Sequence, residues 1–202
     1  IKIAVKSMGL DELGPFKPEE RIIEYMLGDE VGSRLINMKL NDFADLTASE
    51  SVAPGGGSIS AYVGALGISL GCMVANLSSH KKGWDERWQE FSNWAEKGDR
   101  YKSTLLQLVD ADTAAFNKIM EAFALPKATP EEKTARTQAI QNATRYAIEI
   151  PFKVMQTAYD SMGVIKAMVI EGNPNSVTDA GVGALCARAA VIGAFMNVRI
   201  NA

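Results

Sequence analysis

Ser51-Val52-Ala53-Pro54-Gly55-Gly56-Gly57-Ser58 runs without a break into Ile59-Ser60-Ala61-Tyr62-Val63-Gly64-Ala65-Leu66-Gly67-Ile68-Ser69-Leu70-Gly71-Cys72-Met73-Val74-Ala75-Asn76-Leu77. A proline, three glycines and a serine ahead of a long apolar run describe a bent loop that delivers the chain into a buried helix. Ser58, or Gly57 before it, is placed to serve as N-cap. The first-turn amides would then face the loop and offer a place for an anion. The residues alone leave two readings open, a tight turn into a helix with no ligand and a ligand-receiving loop. Small residues then recur at Gly57, Ala61, Gly64, Gly67, Gly71 and Ala75, a smooth stripe that lets another helix approach closely, from this chain or from a second copy.

Outward from this stretch the periodicity stays helical. Before it, Leu40, Phe43 and Leu46 share one face of a short amphipathic helix. After it, the helix is expected to end between Leu77 and His80, with Lys81 and Lys82 complementing its carboxyl end. From Trp84 to Leu125 apolar residues keep helical spacing with no proline, and a break is expected near Gly98. Thr129, Pro130, Glu131 and Glu132 form a strong helix start, and Pro151 is expected to kink the helix that follows towards Gly172. Ser176 and Asp179 have capping-box spacing, and the last helix, Val177 to Ile200, carries small residues at Gly183, Ala184, Ala187, Ala190 and Ala194. The N-terminal residues read differently. Ile1 to Val5 alternates like a strand, Pro18-Glu19-Glu20 opens a helix towards Met26, and Gly28 to Ser33 is loop or linker. The fold class is therefore all-α, an up-and-down bundle of long helices with a short segment outside it.

Composition narrows the function classes. With 202 residues the chain can bury a sizeable core, and 21 basic against 24 acidic residues give no reason to expect nucleic acid. Cys72 and Cys186 sit in separate apolar helical runs, which suits buried thiols and a cytoplasmic setting. The membrane-length candidate is Ile59 to Leu77, but its glycines and serines suit burial in protein better than lipid, so no membrane is expected. His80 is the only histidine, so no histidine-rich metal site is expected. The glycine loop lacks a following Lys-Ser/Thr and has contiguous glycines, so nucleotide binding is not expected.

Two aspartates on one helix are the first candidates for chemistry. Asp110 and Asp112 lie about 200° apart around the axis, and Asp112 takes the face of Leu105, Leu108, Val109, Phe116 and Ile119. Burial there would raise its pKa and make it a proton donor near neutral pH, although a structural aspartate at a helix crossing fits the same pattern. Asp179 has its capping role, and Asn197 and Asn201, one turn apart, suit a polar seam between helices.

Ala53-Pro54-Gly55-Gly56-Gly57-Ser58, Val109-Asp110-Ala111-Asp112 with Ala115-Phe116, Leu125 to Lys133 and Asn197-Val198-Arg199-Ile200-Asn201 together resemble the cyclodeaminase domain of formiminotransferase-cyclodeaminase. The likeness runs from residue 39 to the end. Met8 to Leu13, Pro15-Phe16 and Glu20 to Tyr25 resemble the close of the formiminotransferase domain. The resemblance implies a division into residues 1–38, a remnant of that domain plus linker, and 39–202, the helical domain. With no start methionine, the chain is expected to be a piece of something longer, lacking a carboxyl-terminal portion too.

As the resemblance implies, the reaction converts 5-formiminotetrahydrofolate to 5,10-methenyltetrahydrofolate and ammonia in histidine breakdown. The tetrahydrofolate derivative is the substrate, with no metal and no nucleotide. Asp112 is the expected proton-transfer residue, with Asp110 second and Asp179 assisting. Pro54, Gly55, Gly56, Gly57, Ser58 and Asn197 are expected to shape the substrate site, with Lys81 and Lys82 drawing the glutamate tail of folate. A homodimer or higher homo-oligomer and contact with a formiminotransferase domain are the expected partnerships. Two rival readings are a methenyltetrahydrofolate cyclohydrolase and a catalytically silent helical folate-binding or assembly domain.

Overall fold

In the computed structural model, residues 35–202 are described, together with Gly9 and Phe16. The strand expected at the amino terminus and the helix expected from Glu19 to Met26 lie outside the described residues. The chain divides into two compact units, Ile1–Phe43 and Ala44–Ala202. Five α-helices follow one another among the described residues: α1 Leu40–Ala48, α2 Gly56–Ser79, α3 Trp88–Ala124, α4 Pro130–Glu171 and α5 Val177–Asn201. Three-residue 3-10 turns occupy Leu35–Asn37, Asp85–Arg87 and Pro174–Ser176, and no strand occurs among the described residues. The all-α expectation holds.

Helices α2 to α5 form an up-down-up-down bundle in which α2 packs against all three others. Its small residues are the reason. A Cβ on Gly67 would lie 2.8 Å from the Gly183 carbonyl oxygen, and one on Gly183 would lie 2.7 Å from that of Gly67. The two backbones therefore touch where neither helix carries a side chain. Further along the stripe, a Cβ on Gly64 would meet Ala190 Cβ at 3.1 Å, and one on Gly71 would meet Ile165 Cγ1 at 3.2 Å. At the far end of α2, Val74, Ala75, Phe91, Met168 and Ala180 close the core, with Trp84 and Trp94 packed against it.

Three sequence expectations need correction. Helix α3 passes through Gly98 without a break over its 37 residues. Gly98 is glycine because a Cβ there would collide with Cys72 Sγ. Helix α2 begins earlier than Ser58 or Gly57 allows, since Gly55 is its N-cap and makes no side-chain cap bond. Ser176 likewise makes no side-chain cap bond, so the Ser176–Asp179 box does not form. Its ψ of 13° carries the preceding 3-10 turn straight into α5, whereas a capping side chain needs extended backbone. The box at Thr129 is complete, because Thr129 Oγ1 accepts from the Glu132 N–H at 3.2 Å and Glu132 Oε2 accepts from the Thr129 N–H at 3.0 Å.

Helix α4 continues as one element of 42 residues through Pro151. Proline has no N–H, so the carbonyl of Ala147, four residues earlier, loses its helical partner. Asn201 Nδ2 donates to that oxygen at 2.9 Å and ties the end of α5 to α4. Asn201→Ala is expected to cost about 1 kcal/mol, read by urea denaturation. Most of that cost should vanish in the Pro151→Ala background, where a restored N–H takes the same carbonyl.

Helices α3 and α4 are about 55 and 63 Å long, against about 36 Å for α2 and 37 Å for α5, at 1.5 Å per residue. Their excess length projects beyond Gly56 and Asn201 as a two-helix arm closed by residues 125–129. Phe116, Met120 and Phe123 stand exposed along it. The candidate site lies at the base of this arm.

Candidate functional site

A cavity of about 160 Å³ opens where α2 starts, α5 ends, and α3 and α4 leave the bundle. Val52, Ala53, Gly55, Gly56 and Gly57 form one wall, with Asp112, Thr113 and Phe116 from α3, Ala147 from α4, and Asn197 and Asn201 from α5. Among the described residues, Asp112 is its only ionisable lining residue, and no lysine, arginine or histidine is among the others.

The position of Asp112 follows from the glycine loop. A Cβ on Gly57 would fall on both carboxyl oxygens of Asp112, so that carboxyl rests directly on the first turn of α2. Helix starts leave N–H groups without intrahelical acceptors and carry a partial positive charge. Because Gly55 offers no side-chain cap, Asp112 from α3 takes that role across the helix contact. It accepts from the Ser58 backbone N–H and, at 3.1 Å, from the Ser58 hydroxyl. Burial pushes the Asp112 carboxyl above its ordinary pKa, and the two Ser58 hydrogen bonds oppose that rise without cancelling it.

Ser58 is completely buried and faces inward. Its Oγ lies 3.0 Å from the Val109 carbonyl oxygen and 3.5 Å from Thr113 Oγ1 as well as beside Asp112. On α5, Asn197 Nδ2 donates to the Gly193 carbonyl at 2.9 Å, leaving Oδ1 as an acceptor. A Cβ on Gly56 would stand 3.4 Å from that same Nδ2, an ordinary contact. The Ala53–Pro54 peptide is cis, and Pro54 is buried behind the loop. The site thus offers one desolvated acid, neutral hydrogen-bonding groups, and apolar contact from Phe116, Ile119 and Ile200.

Of the residues singled out in the sequence, the fold brings together Gly55, Gly56, Gly57, Ser58, Asp112, Asn197 and Asn201, with Pro54 buried behind the loop. Asp110, Asp179, Lys81 and Lys82 lie apart from them. Asp110 does not line the cavity, as the helical geometry requires. Asp179 sits in the first turn of α5, about 27 Å of helix from Asn197. Lys81 and Lys82 follow the carboxyl end of α2, a full helix length from Gly56. Lys81 Nζ lies 3.9 Å over the Trp84 ring, within a cluster where Arg87 stacks on Phe91 and pairs with Glu90 and Glu171. That accounts for the lysine by local packing. Thr113, Phe116, Ile119 and Ile200 enter the site without having been marked as site residues in the sequence. Helical phase relative to Asp112 is the one signal that could have found the α3 members.

Among the described residues, no three histidine, cysteine, aspartate or glutamate side chains converge to hold a metal ion. Cys72 and Cys186 are free, and burial pushes the Cys72 thiol up to about 11. Among the described residues two helices, not one, are long and apolar enough to cross a membrane: Gly56–Ser79, mostly buried in the bundle, and the span Pro174–Asn201, which has a largely exposed face. The second escapes a search for charge-free runs because Arg188 and Arg199 interrupt it.

Fold and site define an all-α bundle protein that presents a single desolvated carboxyl to a small polar cavity at a helix start. A family profile described as formiminotransferase-cyclodeaminase matches residues 39–202, and one described as formiminotransferase domain matches residues 1–28. Formimidoyltransferase-cyclodeaminase of Gallus gallus is 38% identical over all 202 residues, which span 37% of that protein's length. A methenyltetrahydrofolate cyclohydrolase of Methylorubrum extorquens is 36% identical over 166 residues, 82% of this chain and 80% of its own. The crystal structure of formiminotetrahydrofolate cyclodeaminase from Thermotoga maritima superposes with a TM-score of 0.71 at 29% identity, covering 81% of this chain and 78% of that one. The chain belongs to the formiminotransferase-cyclodeaminase family, as its motifs indicated.

Proposed function

We propose that this chain catalyses the cyclodeaminase reaction, closing 5-formiminotetrahydrofolate to 5,10-methenyltetrahydrofolate with loss of ammonia, in histidine breakdown and in the cytoplasm. The observation that carries this reading is the half-buried Asp112 carboxyl in a cavity that has, among the described residues, no other ionisable group. The formimino group is an amidine base and enters protonated, as –CH=NH2+; ring closure forms a bond from N10 to its carbon as the C=N π bond breaks, and N10 gives up its proton. The former imino nitrogen is then an amine on a tetrahedral carbon. It leaves as ammonia once protonated, while the lone pair of N5 forms the methenyl double bond. One proton therefore travels from N10 to the departing amine, and Asp112 is placed to accept it and pass it on. A carboxyl with a raised pKa suits both halves of that transfer near neutral pH. The glycine loop holds the reacting carbon close to Asp112, and Asn197 Oδ1 accepts from a pterin or amine N–H.

The cyclohydrolase reading has its own support in the Methylorubrum relative, which aligns along most of both chains. A single pair of assays separates the readings. The purified chain is given 5-formiminotetrahydrofolate and, separately, 5,10-methenyltetrahydrofolate, while ammonia and the methenyl chromophore are followed. Ammonia release is the expected result. Hydrolysis of the methenyl compound alone would transfer the assignment to the cyclohydrolase, and binding without turnover to a silent folate-binding module.

The partner we propose, besides a formiminotransferase domain, is a second copy of this chain. Val182, Leu185, Ile192 and Met196 line the outward face of α5 and are 42% to 64% exposed. Such a face is large for a monomer, and a stable interface buries about 800 Å² per partner. Leu185→Glu is expected to shift the sedimentation coefficient from dimer or larger to monomer, and an unchanged coefficient would remove α5 from the interface.

A further inference from the structure

The hydroxyl of Ser58 has one proton and three oxygen neighbours. Val109 O lies at 3.0 Å, Asp112 Oδ2 at 3.1 Å and Thr113 Oγ1 at 3.5 Å. A carbonyl only accepts, a carboxylate only accepts, and a protonated carboxyl can donate. Two arrangements therefore satisfy the same atoms. When Asp112 is ionised, Ser58 donates to Oδ2. When Asp112 is protonated, Oδ2–H donates to Ser58 Oγ, and the serine proton turns to the Val109 carbonyl. Each state leaves the buried hydroxyl bonded, and neither requires a heavy atom to move.

We infer that Ser58 is a positioning residue that holds the Asp112 carboxyl in place in both its protonation states, so that the acid can take up and return a proton without rearranging. The inference rests on the proposed proton transfer by Asp112. It gives Ser58 a role that its expected place as a helix cap does not. Among the described residues, the groups lining the cavity around Asp112 leave the switch to this pair. Residues 52 and 53 of the loop, Gly56 and Gly57 of α2, and Ala147 of α4 carry no titratable group. Helix α3 adds the neutral Thr113, and α5 the neutral amides of Asn197 and Asn201.

The test uses the full chain, its Ser58→Ala and Ser58→Cys variants, and Asp112→Asn as the reference. Two readouts are taken: the pH profile of kcat, and the midpoint of the Asp112 carboxyl titration followed by 13C NMR. Alanine removes the donor to the charged form, so the midpoint and the kcat limb set by Asp112 should both move to higher pH, with kcat falling about tenfold or more. Cysteine, a weaker donor of similar size, should fall between serine and alanine. The NMR midpoint needs only folded protein, and cysteine keeps the measurement open if the alanine variant does not fold. If the midpoint and limb stay in place in both variants while Asp112→Asn abolishes turnover, Ser58 is only packing and the inference is overturned. If Asp112→Asn turns over like the parent chain, the proton-transfer reading fails and the role of Ser58 fails with it.

Discussion

Asp112→Asn is expected to lower the rate of ammonia release by about 10²- to 10⁴-fold, the usual contribution of a positioned general acid–base. The change is nearly isosteric. Asparagine can still accept from the Ser58 N–H through its carbonyl oxygen, so the start of α2 keeps its partner across the helix contact. What is lost is the ability to carry a proton between N10 and the departing amine. The loss should therefore fall on kcat, with KM nearly unchanged. Asp179→Asn, about 27 Å of helix away from Asn197 along α5, should retain turnover. A kcat for Asp112→Asn equal to that of the parent chain would remove the aspartate from the mechanism.

The same substitution carries a stability signature of known sign. Burial holds the folded-state pKa of Asp112 above its unfolded value. The folded state thus favours the protonated carboxyl. Relative to a group that does not titrate, this contribution is fully present below the unfolded pKa of about 3.9 and is lost as pH rises through the folded value. At neutral pH the site therefore holds a charge that works against the fold. Asp112→Asn should raise Tm at neutral pH, with each kcal/mol appearing as about 2–4 °C, and should lose that gain below about pH 4. A variant that is less stable at neutral pH would mean that the hydrogen bonds to the charged carboxyl outweigh its burial.

The sequence made the bundle legible because the relevant signals are local. Thr129-Pro130-Glu131-Glu132 starts a helix by its own chemistry, as read, and the structure adds a capping box between Thr129 and Glu132 that the reading did not name. The small-residue stripes of α2 and α5 foretold close packing, and Gly67 and Gly183 meet backbone to backbone. Asp112 was legible through helical phase together with its place in the family motif, since Leu105, Leu108 and Val109 on its side of α3 are buried. Roles that depend on distance across the fold were not legible. Gly98 looks like a helix breaker until Cys72 is placed opposite it. Ser58 looks like a cap until its hydroxyl is found bonded to α3. Lys81 reads as a solvated cation at a helix end until Trp84 is found under its ammonium. Asp179 and Asp112 lie 67 positions apart in sequence, and only the antiparallel course of α5 puts them at opposite ends of the bundle.

Gly57→Ala is the sharpest test of how the glycine loop serves the acid. Gly57 lies in the first turn of α2, and its φ is not positive. Alanine is therefore conformationally allowed there and, as an intrinsic helix former, is favoured over glycine by about 1 kcal/mol. On local grounds the variant should be at least as stable as the parent. The tertiary contact says otherwise for function, because the new Cβ would occupy the space of the Asp112 carboxyl oxygens. The carboxyl has to swing off the helix start, which breaks both bonds to Ser58 and takes the acid out of the cavity. Turnover should fall by about 10²-fold or more, while far-UV circular dichroism and the urea midpoint stay close to those of the parent. Gly163→Ala, where a Cβ meets nothing within 4 Å, is the matched control for helix propensity and should keep full activity. The two sites should also fail to add. With Asp112 already replaced by alanine, Gly57→Ala should cost no further activity, since the only group it displaces is gone. Additive losses would mean that Gly57 acts on the substrate directly, as the floor of the cavity, and that the close approach to Asp112 is incidental to catalysis.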